Sequence, residues 1–186
     1  MSEESLVYHC APTLAGLKTG SLFTCPYSSE SEIRGEIRYF NRMLVPKGLR
    51  ILPLRYARGR ALIYLYRPAR LQQDFSTDGR EELLRERGYT DTDATKCIIQ
   101  LMNRLKCAEE FPHEIGLFLG YPIEDVKGFI ENRAGHCSYT GYWKVYGDVK
   151  EAKRLFASYK KCTDIYCDQW SRGKSVAQLA VAGKMP

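Results

Sequence analysis

Two residues that stand far apart in the sequence are the first candidates for chemistry, Cys10 and His113. Pro12 suits the first turn of a helix, so the pattern predicts that Cys10 lies at a helix start. At such a position the unpaired backbone N–H groups stabilise a thiolate, which is the nucleophilic form of cysteine. His113 would supply the base, since catalytic cysteine and histidine are usually distant in sequence and meet only in the fold.

A third polar group would orient the imidazole, and Glu114 and Asp148 are the two candidates. A helix-borne cysteine, a strand-borne histidine and a polar residue after the next strand resemble the arrangement of papain-like thiol enzymes. Such an enzyme would hydrolyse or transfer an acyl or amide-type group of a small or peptide-like substrate, and N–H groups near Thr13 would receive the oxyanion. The competing interpretation is structural, because a cysteine near a helix start usually serves packing and Asp148 is well placed to be an N-cap.

The same residue types also fit a non-enzymatic protein that binds a metal or an unspecified cofactor. Each histidine of the chain is paired with another ligand-type residue, in His9-Cys10, His113-Glu114 and His136-Cys137. The candidate metal ligands are His9, Cys10, His113 and Cys137. Their spacing lacks the short, regular intervals that are typical of zinc and iron sites. The sequence therefore leaves open whether the protein is an enzyme.

A third interpretation rests on charge. Residues 33–70 contain ten Lys or Arg and one acidic residue, with several tyrosines between them. Such a strip can follow phosphates while aromatic rings stack on bases, so it suits a nucleic acid or another anionic ligand. The arginines that would bind an anionic ligand are Arg34, Arg38, Arg55, Arg58 and Arg60. A charge run is more often a solvated surface, and the chain carries none of the short motifs of known nucleic-acid modules.

The elements that must position these residues follow from periodicity and turn signals. Apolar residues after Cys10 predict a helix that runs through Phe23 and ends near Cys25-Pro26, and Ser29-x-x-Glu32 predicts the N-cap of a second helix. Residues 49–56 and 61–67 predict a β-hairpin, whose first strand lies at a sheet edge because Pro53 lacks a ladder donor.

The second half of the chain alternates helical patterns with two predicted strands. Helices are predicted at 71–75, 80–87, from Asp93 to about Cys107, at 123–131, after the Asp148 cap, and after Ser175. The apolar run after His113 and residues 141–146 predict strands. The fold class is therefore α+β, with a small, largely antiparallel sheet of about four strands packed against several helices.

Composition restricts the class of protein. The 186 residues are 44% hydrophobic and 12% aromatic, which is typical of a globular chain and predicts a single domain over 1–186. No apolar run reaches the roughly 20 residues that span a bilayer, and the first residues are acidic, so we expect a cytoplasmic protein without a membrane partner. The seven cysteines would then be mostly inert, buried thiols.

Three blocks of the sequence resemble the signature blocks of an uncharacterised bacterial family, a domain of unknown function found mostly in anaerobic Firmicutes. They are HCAPTLAGLK at 9–18, PHEIGLFLGYPIEDVKGF at 112–129 and GYWKVYGD at 141–148. The resemblance covers nearly the whole chain and implies that Cys10 and His113 are among the family's distinctive residues. Members often lie near flavodoxin-like or iron-uptake genes, which implies an iron or redox context. The resemblance implies no activity.

Overall fold

The computed structural model describes residues 1–77, 79–107 and 110–183, which form nine α-helices and five β-strands. The chain divides into two compact units. Unit 1 comprises Met1–Arg70 and Lys161–Pro186, and unit 2 comprises Leu71–Lys160. In chain order the elements are α1 (Glu3–Leu14), β1 (Gly20–Pro26), α2 (Glu30–Leu44), β2 (Arg50–Ala57), β3 (Arg60–Tyr66), α3 (Pro68–Phe75), α4 (Arg80–Glu86), α5 (Ala94–Cys107), α6 (Ile115–Phe118), α7 (Ile123–Glu131), β4 (Tyr139–Thr140), β5 (Lys144–Val145), α8 (Val149–Ser171) and α9 (Val176–Leu179).

Unit 1 is built on an antiparallel sheet in the order β1-β3-β2. The predicted hairpin is confirmed: β2 pairs with β3, and Arg58 and Gly59 in the turn both have positive φ, of 50° and 70°. Such a turn matches the right-handed twist of the strands. Pro53 lies on β2, which is an edge strand as predicted.

The first helix differs from its prediction. It begins at Glu3 rather than at Cys10, because the Ser2 side chain accepts the Ser5 N–H at 3.2 Å and caps the helix. It ends at Leu14, where Gly16 takes a left-handed conformation and the Leu17 N–H returns to the Pro12 carbonyl at 2.8 Å. The helix therefore ends at this C-cap and β1 follows, so the predicted helix through Phe23 is wrong.

A buried arginine fixes the end of α1. Arg67 is 6% exposed and donates from Nε to the Thr13 carbonyl and from Nη2 to the Leu14 carbonyl, each at 2.8 Å. The same Nη2 donates to Val181 at 2.8 Å. The guanidinium is thus stabilised by carbonyls at the negative end of a helix. Around this region the core of unit 1 packs α1, α2 and α9 against the sheet.

Unit 2 contains the helices α4–α7 and the small β4–β5 hairpin. The helices predicted at 71–75, 80–87, 93–107 and 123–131 are confirmed within a few residues. The strand predicted after His113 is wrong, because these residues form the helix α6 and end at Gly120, whose φ is 74°. Ile115, Leu117, Phe118 and Leu119 are all buried. A short, uniformly apolar run of this kind fits a buried helix as well as a buried strand.

The caps predicted for the last two helices are confirmed. Asp148 Oδ1 accepts the N–H groups of Lys150 and Glu151 at 2.8 and 3.0 Å, and α8 follows. Ser175 and Gln178 form a reciprocal capping box before α9.

The fold class is α+β, as predicted, with a three-stranded antiparallel sheet and a separate two-stranded one. That the chain folds as a single domain over 1–186 stays a prediction. No helix in the described part of the chain is both long enough and apolar enough to cross a membrane.

Candidate functional site

A cavity of about 420 Å³ lies in unit 2 between α6, α7 and the β4–β5 hairpin. Six of the residues that line it carry aromatic rings: Phe111, His113, Tyr121, Phe129, Tyr142 and Trp143. Phe111 and Tyr142 are exposed, whereas Trp143 is 8% exposed. The cavity therefore has a buried aromatic wall and an exposed aromatic rim.

Packed aromatic rings form the buried wall. Trp143 stacks on Tyr121 with 4.5 Å between ring centroids and meets the Phe156 ring edge-on at 4.5 Å. Burial, together with the nearby Tyr159, raises the pKa of Tyr121 to about 12, so this ring carries a neutral hydroxyl at ordinary pH. Such rings offer a preformed apolar surface.

Asp125 on α7 holds the indole in place. Its Oδ2 accepts the Trp143 Nε1–H at 2.6 Å, and its Oδ1 accepts the backbone N–H groups of Tyr146 and Gly147 at 2.7 and 2.8 Å. The side chain is buried, and three donors compensate its charge. Asp125 therefore ties the β5 segment to α7, and both of its oxygens are occupied by the protein.

Glycines allow the close approaches around the cavity. A Cβ on Gly116 would lie 2.8 Å from Val126 Cγ2, and a Cβ on Gly128 would collide with the Tyr146 ring. These positions of α6 and α7 therefore need a residue without a side chain.

His113 lies at this cavity and is exposed. Its ring packs on Phe129 with 4.9 Å between centroids at 63°. Within the described residues its ring nitrogens make no hydrogen bond, so they are available to a ligand. Lys144 also lines the cavity, but its ammonium donates to the Ala134 carbonyl at 2.6 Å.

Glu114 follows His113 in the chain but faces a different environment. It is 2% exposed, and its Oε1 accepts the Tyr89 hydroxyl at 3.1 Å and pairs with Arg104 Nε at 3.0 Å. Burial and the Glu114 charge raise the pKa of Tyr89, which keeps this hydroxyl a donor. These contacts give Glu114 a structural role. Asp148 also lies in unit 2. It is the exposed cap of α8 and does not line the cavity.

Cys10 lies in unit 1, and its surroundings differ from the prediction. It occupies the second half of α1 rather than the helix start, so the positive end of the helix does not act on it. The side chain is fully buried, and burial raises the pKa of the thiol to about 12 despite the opposing effects of Lys18 and Ser21. The predicted papain-like order of a cysteine at a helix start and a histidine on a strand is therefore wrong, and the burial of Cys10 does not favour a thiolate.

The predicted metal ligands are divided between the two units. His9 and Cys10 belong to unit 1, where the His9 ring stacks on Phe23 with 5.2 Å between centroids, while His113 and Cys137 belong to unit 2. Cys137 Sγ lies 3.4 Å from Thr140 Oγ1. Across residues 1–77, 79–107 and 110–183, no three His, Cys, Asp or Glu side chains are grouped as a metal site would require.

The arginines predicted to bind an anion all lie in unit 1. Arg34 pairs with Glu30 at 3.1 Å and lies 5.8 Å from the Tyr56 ring, and Arg60 donates to Thr24. Arg38 is exposed on α2, Arg55 is half-buried on β2, and Arg58 is exposed in the hairpin turn.

Sequence reasoning missed most of the cavity. Tyr121, Asp125, Phe129, Tyr142 and Trp143 were not predicted as site residues, although all five fall in the blocks 112–129 and 141–148. The available signal was the concentration of aromatic residues and glycines in these two blocks.

The fold and the cavity define an α+β protein with a preformed aromatic pocket. Residues 6–180 match the family described as Protein of unknown function (DUF3793), and the chain belongs to this family. The predicted membership of an uncharacterised family is thereby confirmed. No protein of curated function and no solved structure matches the chain.

Proposed function

We propose that this protein binds a small, mainly apolar organic molecule in the aromatic cavity of unit 2. The observation that carries the proposal is the preformed 420 Å³ space lined by six rings and few polar groups. Ligand sites in proteins are commonly concave, mostly apolar and of about 300–1,000 Å³, with a few polar groups that set orientation. Of the functions predicted from the sequence it is nearest to the non-enzymatic metal- or cofactor-binding alternative, with which it shares only His113.

His113 is the residue that would orient the ligand. Asp125 already accepts three hydrogen bonds and the Lys144 ammonium already donates to the Ala134 carbonyl, whereas the imidazole is exposed beside the cavity and makes no hydrogen bond within the described residues. A ligand with a flat apolar body and one hydrogen-bonding group would fill the space and reach this ring. The flat body would extend the stack of Tyr121 on Trp143.

The thiol-dependent hydrolase or transferase stays a prediction. The burial of Cys10 and its raised pKa do not support it, because a nucleophile must be accessible and ionised. An iron or redox context and a cytoplasmic location likewise stay predictions.

Fluorescence tests the proposal directly. The chain has two tryptophans, Trp143 and Trp170, so a Trp170→Phe background leaves Trp143 as the reporter of the cavity. We expect anilinonaphthalene sulfonate, an aromatic probe, to quench Trp143 by energy transfer and to bind saturably. Competition with a panel of aromatic carboxylates, amides and flavin-like rings then ranks ligand classes.

Two exposed tyrosines of the β4–β5 hairpin provide a matched control. Tyr142 and Tyr139 both lie against Phe156, with ring centroids at 5.5 and 6.2 Å, but only Tyr142 lines the cavity. Tyr142→Ala should weaken binding of the probe about tenfold or more, as expected for one lost aromatic contact. Tyr139→Ala should leave the affinity for the probe unchanged. Equal effects of both variants, or no saturable quenching of Trp143, would rule out this cavity as the binding site.

A further inference from the structure

The two units differ in charge. Unit 1 contains fifteen Lys or Arg and seven Asp or Glu, a net charge of +8. Unit 2 contains thirteen Lys or Arg and fifteen Asp or Glu, a net charge of −2. The whole positive excess of the chain therefore belongs to unit 1, and such asymmetry is typical of a surface that meets a polyanion.

One face of α2 concentrates this charge. Gly35, Arg38, Tyr39 and Arg42 recur at helical spacing, and we call them the α2 stripe. Gly35, Arg38 and Arg42 line an open groove. Neither Arg38 nor Arg42 forms an ion pair or a hydrogen bond through its side chain within the described residues, and both are exposed. These two charges are thus available to a partner.

The fold holds the stripe outward. The opposite face of α2 is buried through Ile33, Ile37, Phe40 and Leu44. Asn41 exchanges two hydrogen bonds with the backbone of Ile51 on β2, at 2.8 and 2.9 Å, which fixes the rotation of the helix. The arginines therefore cannot turn into the core.

Aromatic surface accompanies the charge. The Tyr39 side chain is 50% exposed on the stripe, with the edge-on Phe40 ring 5.3 Å away between centroids, and a Cβ at Gly35, one turn earlier, would meet nothing within 4 Å. Unpaired arginines next to an exposed aromatic ring suit single-stranded nucleic acid, since every base can stack on a ring and every phosphate can pair with a cation. A duplex or an acidic peptide would use the charges but not the ring.

We propose that the α2 stripe binds single-stranded nucleic acid, with Arg38 and Arg42 at phosphates and Tyr39 stacked on a base. This proposal is independent of the ligand in the unit 2 cavity. It narrows the predicted anion site, which included Arg34 and Arg38 on α2 as well as three arginines of the hairpin, to α2; in the hairpin Arg60 is bonded to Thr24.

Fluorescence anisotropy tests whether the α2 stripe binds single-stranded nucleic acid. The probe is a labelled oligothymidylate of roughly 20 nucleotides, measured over a range of salt concentrations that begins at about 50 mM. Arg38→Gln with Arg42→Gln should weaken binding about tenfold or more at the lowest salt and reduce the logarithmic salt slope by about 1.4, the value for two lost phosphate contacts on a single strand. Tyr39→Ala should weaken binding about fivefold or more with an unchanged salt slope.

The matched control is Lys161→Gln with Arg172→Gln, which removes the same charge from two exposed positions of unit 1, one on α8 and one directly after its end. It should change affinity less than about twofold, because salt-dependent binding depends on contacts with phosphates. Three results would overturn the proposal: no binding by the unmodified protein at the lowest salt, equal losses in both double variants, or equally tight binding of a duplex or of polyglutamate. Circular dichroism confirms that each variant is folded.

Discussion

The two residues that most suggest chemistry in the sequence have opposite surroundings. Cys10 is fully enclosed in the core of unit 1, and burial raises its pKa to about 12. His113 is exposed beside a cavity of about 420 Å³ in unit 2. Residue type and spacing therefore suggest reactivity, whereas burial decides it.

The polar groups around the two residues differ in the same way. Near Cys10, Thr13 and Ser21 share a buried hydrogen bond of 2.8 Å, and Lys18 is 8% exposed. Around His113, Asp125 and Lys144 are hydrogen-bonded within the protein, whereas the imidazole makes no hydrogen bond within the described residues. A closed polar cluster serves stability, whereas an open cavity with one available polar ring serves binding.

The largest expected difference between the two regions concerns access to reagents. Exposed Cys107 should react with iodoacetamide at least about a thousandfold faster than Cys10, because labelling of a fully buried thiol requires the structure to open. Peptide mass spectrometry after timed labelling measures both rates in one sample. A Cys10 rate within about tenfold of the Cys107 rate would restore Cys10 as a candidate nucleophile.

The next effect concerns the support of the cavity. Asp125→Ala should lower the free energy of unfolding by about 3 kcal/mol or more, since it leaves three donors without their buried carboxylate. Asp148→Ala is the matched control, because that carboxylate also accepts two backbone N–H groups but is exposed, and it should cost about 1 kcal/mol. Urea denaturation measures both. Similar costs would show that Asp125 does not organise the cavity.

Substitution of one helical glycine in each unit tests how tightly that helix is packed. Gly128→Ala on α7 should destabilise by about 1–3 kcal/mol, because the added methyl group collides with the Tyr146 ring. Gly35→Ala on α2 meets nothing within 4 Å and should stabilise by about 0.5–1 kcal/mol through higher helix propensity. Thermal denaturation followed by circular dichroism gives both signs. A neutral Gly128→Ala would mean that the ring next to α7 can move aside.

Much of this architecture could be predicted from the sequence, because it depends on local signals. The hairpin with its edge proline, the Ser29 and Asp148 caps and the Ser175 capping box all express contacts within a few residues, and all are confirmed. Short-range hydrogen bonding and turn chemistry decide such features.

The errors arose where local signals compete. Pro12 suggested a helix start, but the Ser2 cap had already begun the helix, and the Gly16 C-cap ended it before β1. The apolar run after His113 has no period that separates a buried strand from a buried helix. The site was missed for another reason: the Asp125–Trp143 contact joins residues from separate elements, and no local pattern encodes it.

The smallest expected effect is a pH dependence in the enclosed region. Burial lowers the pKa of Lys18 to about 8 from 10.5, while the neighbouring Cys10 acts in the opposite direction. The unfolded chain therefore binds more protons between these two pH values, so the contribution of Lys18 to stability rises with pH through this window. Relative to Lys18→Met, the unmodified protein should gain about 1 kcal/mol between about pH 7 and pH 9.

Denaturation of both proteins across this pH range measures the difference, and their other titrating groups cancel in the comparison. Lys161→Met, at an exposed position of α8, is the matched control and should show a flat difference. A flat difference for Lys18→Met as well would mean that water reaches the Lys18 ammonium in the folded protein, because desolvation is the main cause of its lowered pKa. The surroundings of Cys10 would then be accessible to solvent, as those of His113 are. The two regions would no longer differ in access to water.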